Sequence, residues 1–406
     1  MHLRVGTPIW LVRKDSRRSR YPSLAGKHDA DVVIVGGGLT GAAVAHVFAE
    51  AGIRAVLLEA ERVSSGSTAA STALLMQETD ETLGALAHRY GTTRARRIWE
   101  LNHEGTRDLI DTLRRLRVPV DERETIYYST SDVGTLRKEC DLRRRAGFSA
   151  SWMSAAQLRV ATGLAGDGAI RSHGNAQCDP VRATAALLRS ASRNGAHIFE
   201  ASRATRIEPT RDGVIVRTPR GSISAIRVII ATGYATREFR PLAARFRMKH
   251  TYVLATARLS RRQRQRLGLD EVLLWDTARP YHYARWTDDN RLLLGGNDRP
   301  VVPARQRRRA LAESTSQLHE HFVSLLPALT DVAIERVWEG LFAMTPDGLP
   351  FVGPHRRYPR HLFALGYGGN GMTFGFLAAR LLLDAFLGVP NPDLELLAFN
   401  RSKRSG

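Results

Sequence analysis

Cysteine is nearly absent: Cys140 and Cys178 are the only two in 406 residues, and neither has a cysteine or histidine beside it at ligand spacing. Neither a disulfide framework nor a structural zinc site has support, and a reducing cytoplasm is the expected compartment. Long apolar runs are missing as well. No stretch approaches the roughly 18 apolar residues that a membrane span needs. The basic N-terminus lacks the apolar core of a secretory signal and reads as an irregular arm ahead of the first strand. Lysine is scarce, with only five among the 60 basic residues. The arginines fall in short clusters, such as Arg143-Arg144-Arg145, Arg261-Arg262 and Arg307-Arg308-Arg309, and form no single stripe. The formal charge of +20 therefore reads as an arginine-biased solvated surface, and nucleic acid is not the expected partner. With 43% hydrophobic and 25% charged residues, the chain has the composition of a soluble globular protein of two or three domains.

The first organised segment runs from Asp31 to Glu61. Four apolar β-formers, Val32 to Val35, read as a buried parallel strand, and Gly36, Gly38 and Gly41 then supply G-x-G-x-x-G. A helical stretch with Val44, Val47 and Phe48 on one face closes at Gly52, and a second apolar strand, Ala55 to Leu58, ends at Glu59. The glycines allow a tight turn and close approach of a pyrophosphate to the helix N-terminus, and an acid at position 59 suits a free ribose diol. NAD and FAD both satisfy this pattern.

A second G-x-G-x-x-G, at Gly366, Gly368 and Gly371, follows the strand His361 to Leu365. It opens a helix from Met372 to about Leu387, but no third strand or ribose acid follows, so it is not read as a second nucleotide fingerprint. Its helix N-terminus would suit a redox ring that becomes anionic on reduction. Between the two fingerprints, Ser202 to Tyr234 reads as strands with turns at Asp212-Gly213 and Arg220-Gly221, after a helix from Pro180 to Gly195. Two stretches interrupt this scheme. Ala87 to Gln157 is helical and arginine-rich at its start, and Pro241 to Ile334 alternates strands with one helix, Gln306 to Leu326.

These motifs, with the Ser/Thr-rich Ser64 to Thr72, the strand entering Ala231-Thr232-Gly233, Trp338 to Gly353 and Gly366 to Gly375, resemble in order and spacing the D-amino-acid oxidase, glycine oxidase and sarcosine oxidase family of FAD-dependent oxidoreductases. The resemblance covers nearly the whole chain. It implies an α/β fold with an α+β insertion: a Rossmann-like FAD-binding domain (1–86, 158–240 and 335–406) plus a substrate domain with a mixed or antiparallel sheet (87–157 and 241–334). FAD would lie along Gly36, Gly38, Leu39, Thr40 and Gly41, with adenosine near Glu59 and Ala60. Further contacts would come from Ser67, Thr68, Ser71, Thr72, Ala204, Thr232 and Gly233. The flavin would lie at Gly368, Gly369, Asn370, Gly371, Met372 and Thr373. Gly340 stands where sarcosine oxidases tether the flavin through cysteine, so noncovalent FAD is expected. Thr373 stands where those enzymes carry a lysine assigned to the reaction with oxygen. The acceptor, oxygen or another electron carrier, is left open, with slow oxidase turnover expected.

The resemblance implies oxidation of an amine or amino acid C–N bond to an imine, with hydride passing to flavin N5, so the protein must mainly orient and desolvate its substrate. Arg279 to Arg285 reads as one strand with Arg279, Tyr281, Tyr283 and Arg285 on a shared face, a possible clamp for a carboxylate and an amine. Tyr252, on another strand of the same insertion, is a further candidate. Asp347 in Thr345-Pro346-Asp347-Gly348 reads as a turn residue. His250 and His282 read as structural, and neither cysteine has a neighbour that would make it a nucleophile. Two other readings stay open: an RNA-binding flavoprotein acting on a modified base, and a nonenzymatic flavin-binding subunit of an assembly. Oligomeric state is not legible.

Overall fold

The computed structural model describes residues 3–13 and 20–401. Its organising centre is the apolar strand Val32–Val35, buried on both faces in a six-stranded sheet. The spatial order is Phe351–His355, Tyr358–Leu365, Arg227–Gly233, Val32–Val35, Ala55–Leu58 and His197–Phe199. The inner pairings are parallel, and only the edge strand Phe351–His355 runs antiparallel. Strands of Val, Ile and Leu suit this sheet because helices cover one face and a smaller β-meander packs on the other, leaving no wet face. The helix Leu39–Glu50 lies between Pro180–Arg193 and Gly371–Leu387. Its alanines 42, 43, 45 and 49 let these helices approach closely, and a Cβ at Gly375 would come 2.7 Å from the Thr40 hydroxyl.

The expected turns at Asp212-Gly213 and Arg220-Gly221 join Arg206–Pro209, Val214–Arg217 and Gly221–Ala225 into an antiparallel meander. Gly26–Asp29 adds to it in parallel. The N-terminal arm is thus less irregular than expected. Arg4–Gly6 also pairs with Ile334–Met344, and Trp10 is buried, its indole donating to the Ser71 carbonyl at 2.9 Å. Residues 1, 2 and 14–19 of that arm lie outside the described residues.

A second, ten-stranded sheet runs in the order Arg4–Gly6, Ile334–Met344, Arg247–Thr256, Leu292–Pro300, Tyr283–Trp286, Leu273–Asp276, Val120–Tyr128, Gly168–Cys178, Leu74–Leu75, with Ser151–Ser154 also beside Gly168–Cys178. It is antiparallel except where Leu273–Asp276 pairs with Val120–Tyr128. Three of its strands, at Arg4–Gly6, Leu74–Leu75 and Gly168–Cys178, lie outside 87–157 and 241–334, as does all of Ile334–Met344 but its first residue. The segment 241–334 holds a second helix, Arg261–Leu267, besides Arg307–Leu325. Its arginines and glutamines carry no apolar stripe, and it is fixed instead by a Ser260/Gln263 capping box and by left-handed Gly268. Among the described residues no helix is long and apolar enough to cross a membrane.

Candidate active site

The two large sheets meet at a cavity of about 620 Å³. It opens at the carboxyl ends of Val32–Val35, Ala55–Leu58 and Arg227–Gly233, where ligands of open α/β sheets bind. The glycines there are steric requirements. A Cβ at Gly36, whose φ is +117°, would come 2.6 Å from the Ala231 carbonyl oxygen, and one at Gly41 would come 1.8 Å from that of Gly36. Thr68 accepts from the Leu39 N–H at 3.0 Å, and Ser67 donates to the Leu341 carbonyl at 2.6 Å, so the Ser/Thr-rich segment is tied to both the fingerprint helix and the large sheet. Glu59 accepts from the Gly37 N–H at 2.7 Å and the Glu61 N–H at 2.8 Å. Burial raises its pKa against the pull of those N–H groups. A narrow backbone cradle at a helix N-terminus, ending in an oriented carboxylate, fits the pyrophosphate and ribose of FAD.

At the other end of the cavity the turn Gly366 to Asn370 leads into Gly371–Leu387. Gly369 N–H donates to Asp80 at 2.6 Å, and the Asn370 amide donates to the Glu78 carbonyl at 3.0 Å. A Cβ at Gly368 would come 2.2 Å from the Asp80 carboxylate, and one at Gly369 would come 2.1 Å from the Tyr281 hydroxyl. Tyr281 and Tyr283 line this end with Trp275, Thr251 and Asp298. The two tyrosine rings lie 6.0 Å apart, and the Tyr283 ring sits on Gly295, where a Cβ would come within 2.2 Å of it. Burial pushes Asp80 up to about 7 and Asp298 up to about 6, although Arg279 acts against the first and Thr251, Lys249 and His282 against the second. Burial likewise holds Tyr283 at about 12 and Tyr281 well above its ordinary value, so both phenols stay protonated.

Eighteen of the residues expected to contact the cofactor lie on the cavity wall: Gly36, Gly38, Leu39, Thr40, Glu59, Ala60, Ser67, Thr68, Ser71, Thr72, Ala204, Thr232, Gly233 and Gly368 through Met372. Gly41 stands behind the wall as a packing glycine. Thr373 is turned away. It is fully buried, 3.1 Å from the Thr106 hydroxyl and within reach of the Met76 carbonyl, so a lysine there would enter a helix interface rather than face a flavin. The expected four-residue clamp is also corrected. The strand begins only at Tyr283, because Asp276 folds the preceding residues into a loop by accepting from the Ala278 and His282 N–H groups, each at 3.0 Å. Arg279 is exposed beside that loop and donates to the Ala278 carbonyl. Arg285 is buried with its guanidinium spent on the carbonyls of Thr72, Ala73 and Cys178, at 2.6, 3.1 and 3.1 Å, so it supports the Ser/Thr-rich segment and binds no substrate carboxylate. Tyr252 is fully buried against Ala310 and Leu311, on the sheet face away from the cavity.

His282 Nδ1–H donates to the Asp276 carboxylate at 2.9 Å, and His250 is fully buried. Asp347 closes its turn and also receives the Arg401 guanidinium, both bonds at 2.7 Å. Burial pushes the Cys178 thiol up to about 12, leaving it inert. The sequence reading did not reach Glu78, Asp80, Trp275 or Asp298. The usable signal was Gly295-Gly296-Asn297-Asp298, strand-averse residues inside an apolar strand, which mark close approach of another group.

The sequence pattern of the FAD dependent oxidoreductase (DAO) family matches residues 31–385. Gamma-glutamylputrescine oxidoreductase of Escherichia coli is 29% identical over 367 residues, spanning 88% of this chain and 84% of that one. Glycine oxidase of Bacillus subtilis is 24% identical over 376 residues, 89% and 94% of the two chains. The crystal structure of glycine oxidase from Geobacillus kaustophilus superposes with a TM-score of 0.77 at 22% identity, covering 92% of this chain and 99% of that one, a likeness of fold.

Proposed function

This chain belongs to the DAO family of FAD-dependent oxidoreductases, and from that premise we propose that it oxidises an amine or amino acid C–N bond to an imine at the Tyr281/Tyr283 end of its cavity, with FAD held noncovalently. The observation that supports this reading most is the continuity of the cavity from the glycine cradle and Glu59 to the two tyrosines and the Gly368–Gly369 turn. Bound there, FAD supplies the two-electron acceptor of the reaction. The protein's part is placement. The protonated phenols of Tyr281 and Tyr283 hydrogen-bond the amine end, the Trp275 indole and the tyrosine rings exclude water, and the C–H bond is presented to one face of the acceptor. The imine product hydrolyses in water. The names of the family relatives divide between an amine and an amino acid substrate.

Gly340 lines the cavity where a tether would need sulfur, and a Cβ there would come 2.8 Å from that of Ala70. Acid precipitation is therefore expected to release all of the yellow colour into the supernatant, and colour retained in the pellet would overturn noncovalent binding. Under anaerobic conditions a member of a panel of amines and amino acids bleaches the flavin absorbance. If none does, the oxidation reading fails. On admitting air the colour returns slowly, because fast reaction with oxygen benefits from a cation beside the ring and the wall at this end carries carboxylates.

A further inference from the structure

The charge on the cavity wall is divided by position. Among the described residues its cationic side chains are Arg4, Arg62 and Arg203: Arg62 and Arg203 lie on segments of the nucleotide half, and Arg4 lies on the edge strand of the large sheet, beside the Ser/Thr-rich segment. Arg4 donates to the Ser65 and Gly6 carbonyls, and Arg62 lies 3.6 Å from Glu200. At the Tyr281/Tyr283 end the charged groups on the wall are the carboxylates Glu78, Asp80 and Asp298, beside a third phenol, Tyr367. Glu78 is buried, with one carboxylate oxygen accepting from Thr125 at 3.0 Å and the other without a hydrogen-bond partner. Asp80 enters from the loop that bonds the Gly369 turn, and Asp298 from the strand Leu292–Pro300 of the large sheet, so carboxylates stand on two different walls. Aromatic surface from Trp275, Tyr281 and Tyr283 lies between them.

An α-amino acid brings its carboxylate next to the reacting carbon, and binding it in a water-poor site takes a buried arginine or lysine. Arg285, the arginine of the right strand, is occupied elsewhere. Arg279 stands at the exposed edge, and its charge falls on Asp80 and Tyr127. We infer that this end of the cavity is built for a substrate cation, an alkyl diamine whose reacting carbon carries no carboxylate, with Asp298 and Asp80 receiving its ammonium groups and the aromatic rings its methylenes. Burial raises both carboxyls above their ordinary range, and the cations that oppose it, Arg279 for Asp80 and Lys249 with His282 for Asp298, stand off the cavity wall. A substrate dication places positive charge on the wall itself.

The assignment rests on the amine oxidation proposed above, and the test separates the two. The holoenzyme is titrated anaerobically with 1,4-diaminobutane, its mono-N-acetyl derivative, glycine and both alanine enantiomers, following flavin absorbance, and binding of each is measured by calorimetry. The diamine is expected to bleach the flavin and the amino acids to leave it oxidised. Asp298→Asn, with its FAD content verified, is expected to raise the diamine dissociation constant about tenfold, the scale of one charge-assisted hydrogen bond. The acetylated derivative makes the same comparison on the unaltered protein and is expected to bind about tenfold more weakly. Bleaching by glycine or alanine at concentrations where the diamine is inert overturns the inference and leaves the oxidation reading standing. If nothing bleaches, the oxidation reading fails, and the calorimetry decides the charge assignment: equal affinity for the diamine and its acetylated form overturns it, a tenfold difference upholds it.

Discussion

Glu59 carries two tasks on one carboxylate. Both oxygens accept backbone N–H groups, from Gly37 and Glu61, and their remaining lone pairs face the cavity. A glutamine at 59 has one acceptor oxygen and turns an NH2 toward one of those N–H groups, so it loosens the fingerprint turn as well as the ribose contact. Glu59→Gln is expected to weaken FAD by about 1–3 kcal/mol, the cost of losing a hydrogen bond to a charged group. Fluorescence quenching on FAD titration measures it, and an unchanged dissociation constant would place the ribose contact elsewhere. This residue was legible because everything that defines it lies within one βαβ unit. Asp80 was not, since its partner at Gly369 is 289 residues away and no local pattern announces the contact. Arg285 shows the reverse error: alternation along a strand gives the face of a side chain but not whether three carbonyls already occupy it.

At the scale of elements, the strand Arg247–Thr256 decides the fate of Tyr252 by its two-residue period. Thr251 faces the cavity, so Tyr252 and His250 face the helix Arg307–Leu325 on the other side. The strand was visible in sequence, but which face met the cavity depended on the long-range register with Ile334–Met344. His250 is enclosed there, 3.6 Å from Glu339, and burial together with the nearby Arg307 charge pushes its pKa down to about 4. For a histidine depressed in the folded state, the stability it contributes is complete above the unfolded value near 6.5 and is lost as pH falls toward 4. Between pH 7 and pH 5 that loss is on the order of 2 kcal/mol. Urea unfolding at the two pH values is expected to show a smaller acid loss for His250→Leu than for the unaltered protein. Equal losses would mean that His250 is not held neutral in the fold.

For the whole molecule, four of the six strands of the nucleotide sheet were legible as short apolar runs, whereas His197–Phe199 and the antiparallel edge Phe351–His355 were not. The large sheet was legible only as a class, because its strands come from both ends of the chain and from the middle, and nothing local gives their order. The charge of +20 is a property at this scale too. The ion pairs on the surface, Arg309 with Glu313 at 2.6 Å among them, act over contact distances and are worth little each. The excess of arginine acts across the molecule. At an ionic strength of 0.01 M the screening length is about 30 Å, so the like charges repel over the width of the fold, whereas at 0.15 M it is about 8 Å and only contacts survive. Adding salt therefore removes more repulsion than attraction, and the net charge ceases to oppose the compact state. The melting temperature at pH 7 is expected to rise by a few degrees from 10 to 150 mM sodium chloride, with the FAD content held constant. A fall over that range would mean that the surface pairs outweigh the excess charge, and that the arginine bias contributes to the fold rather than opposing it.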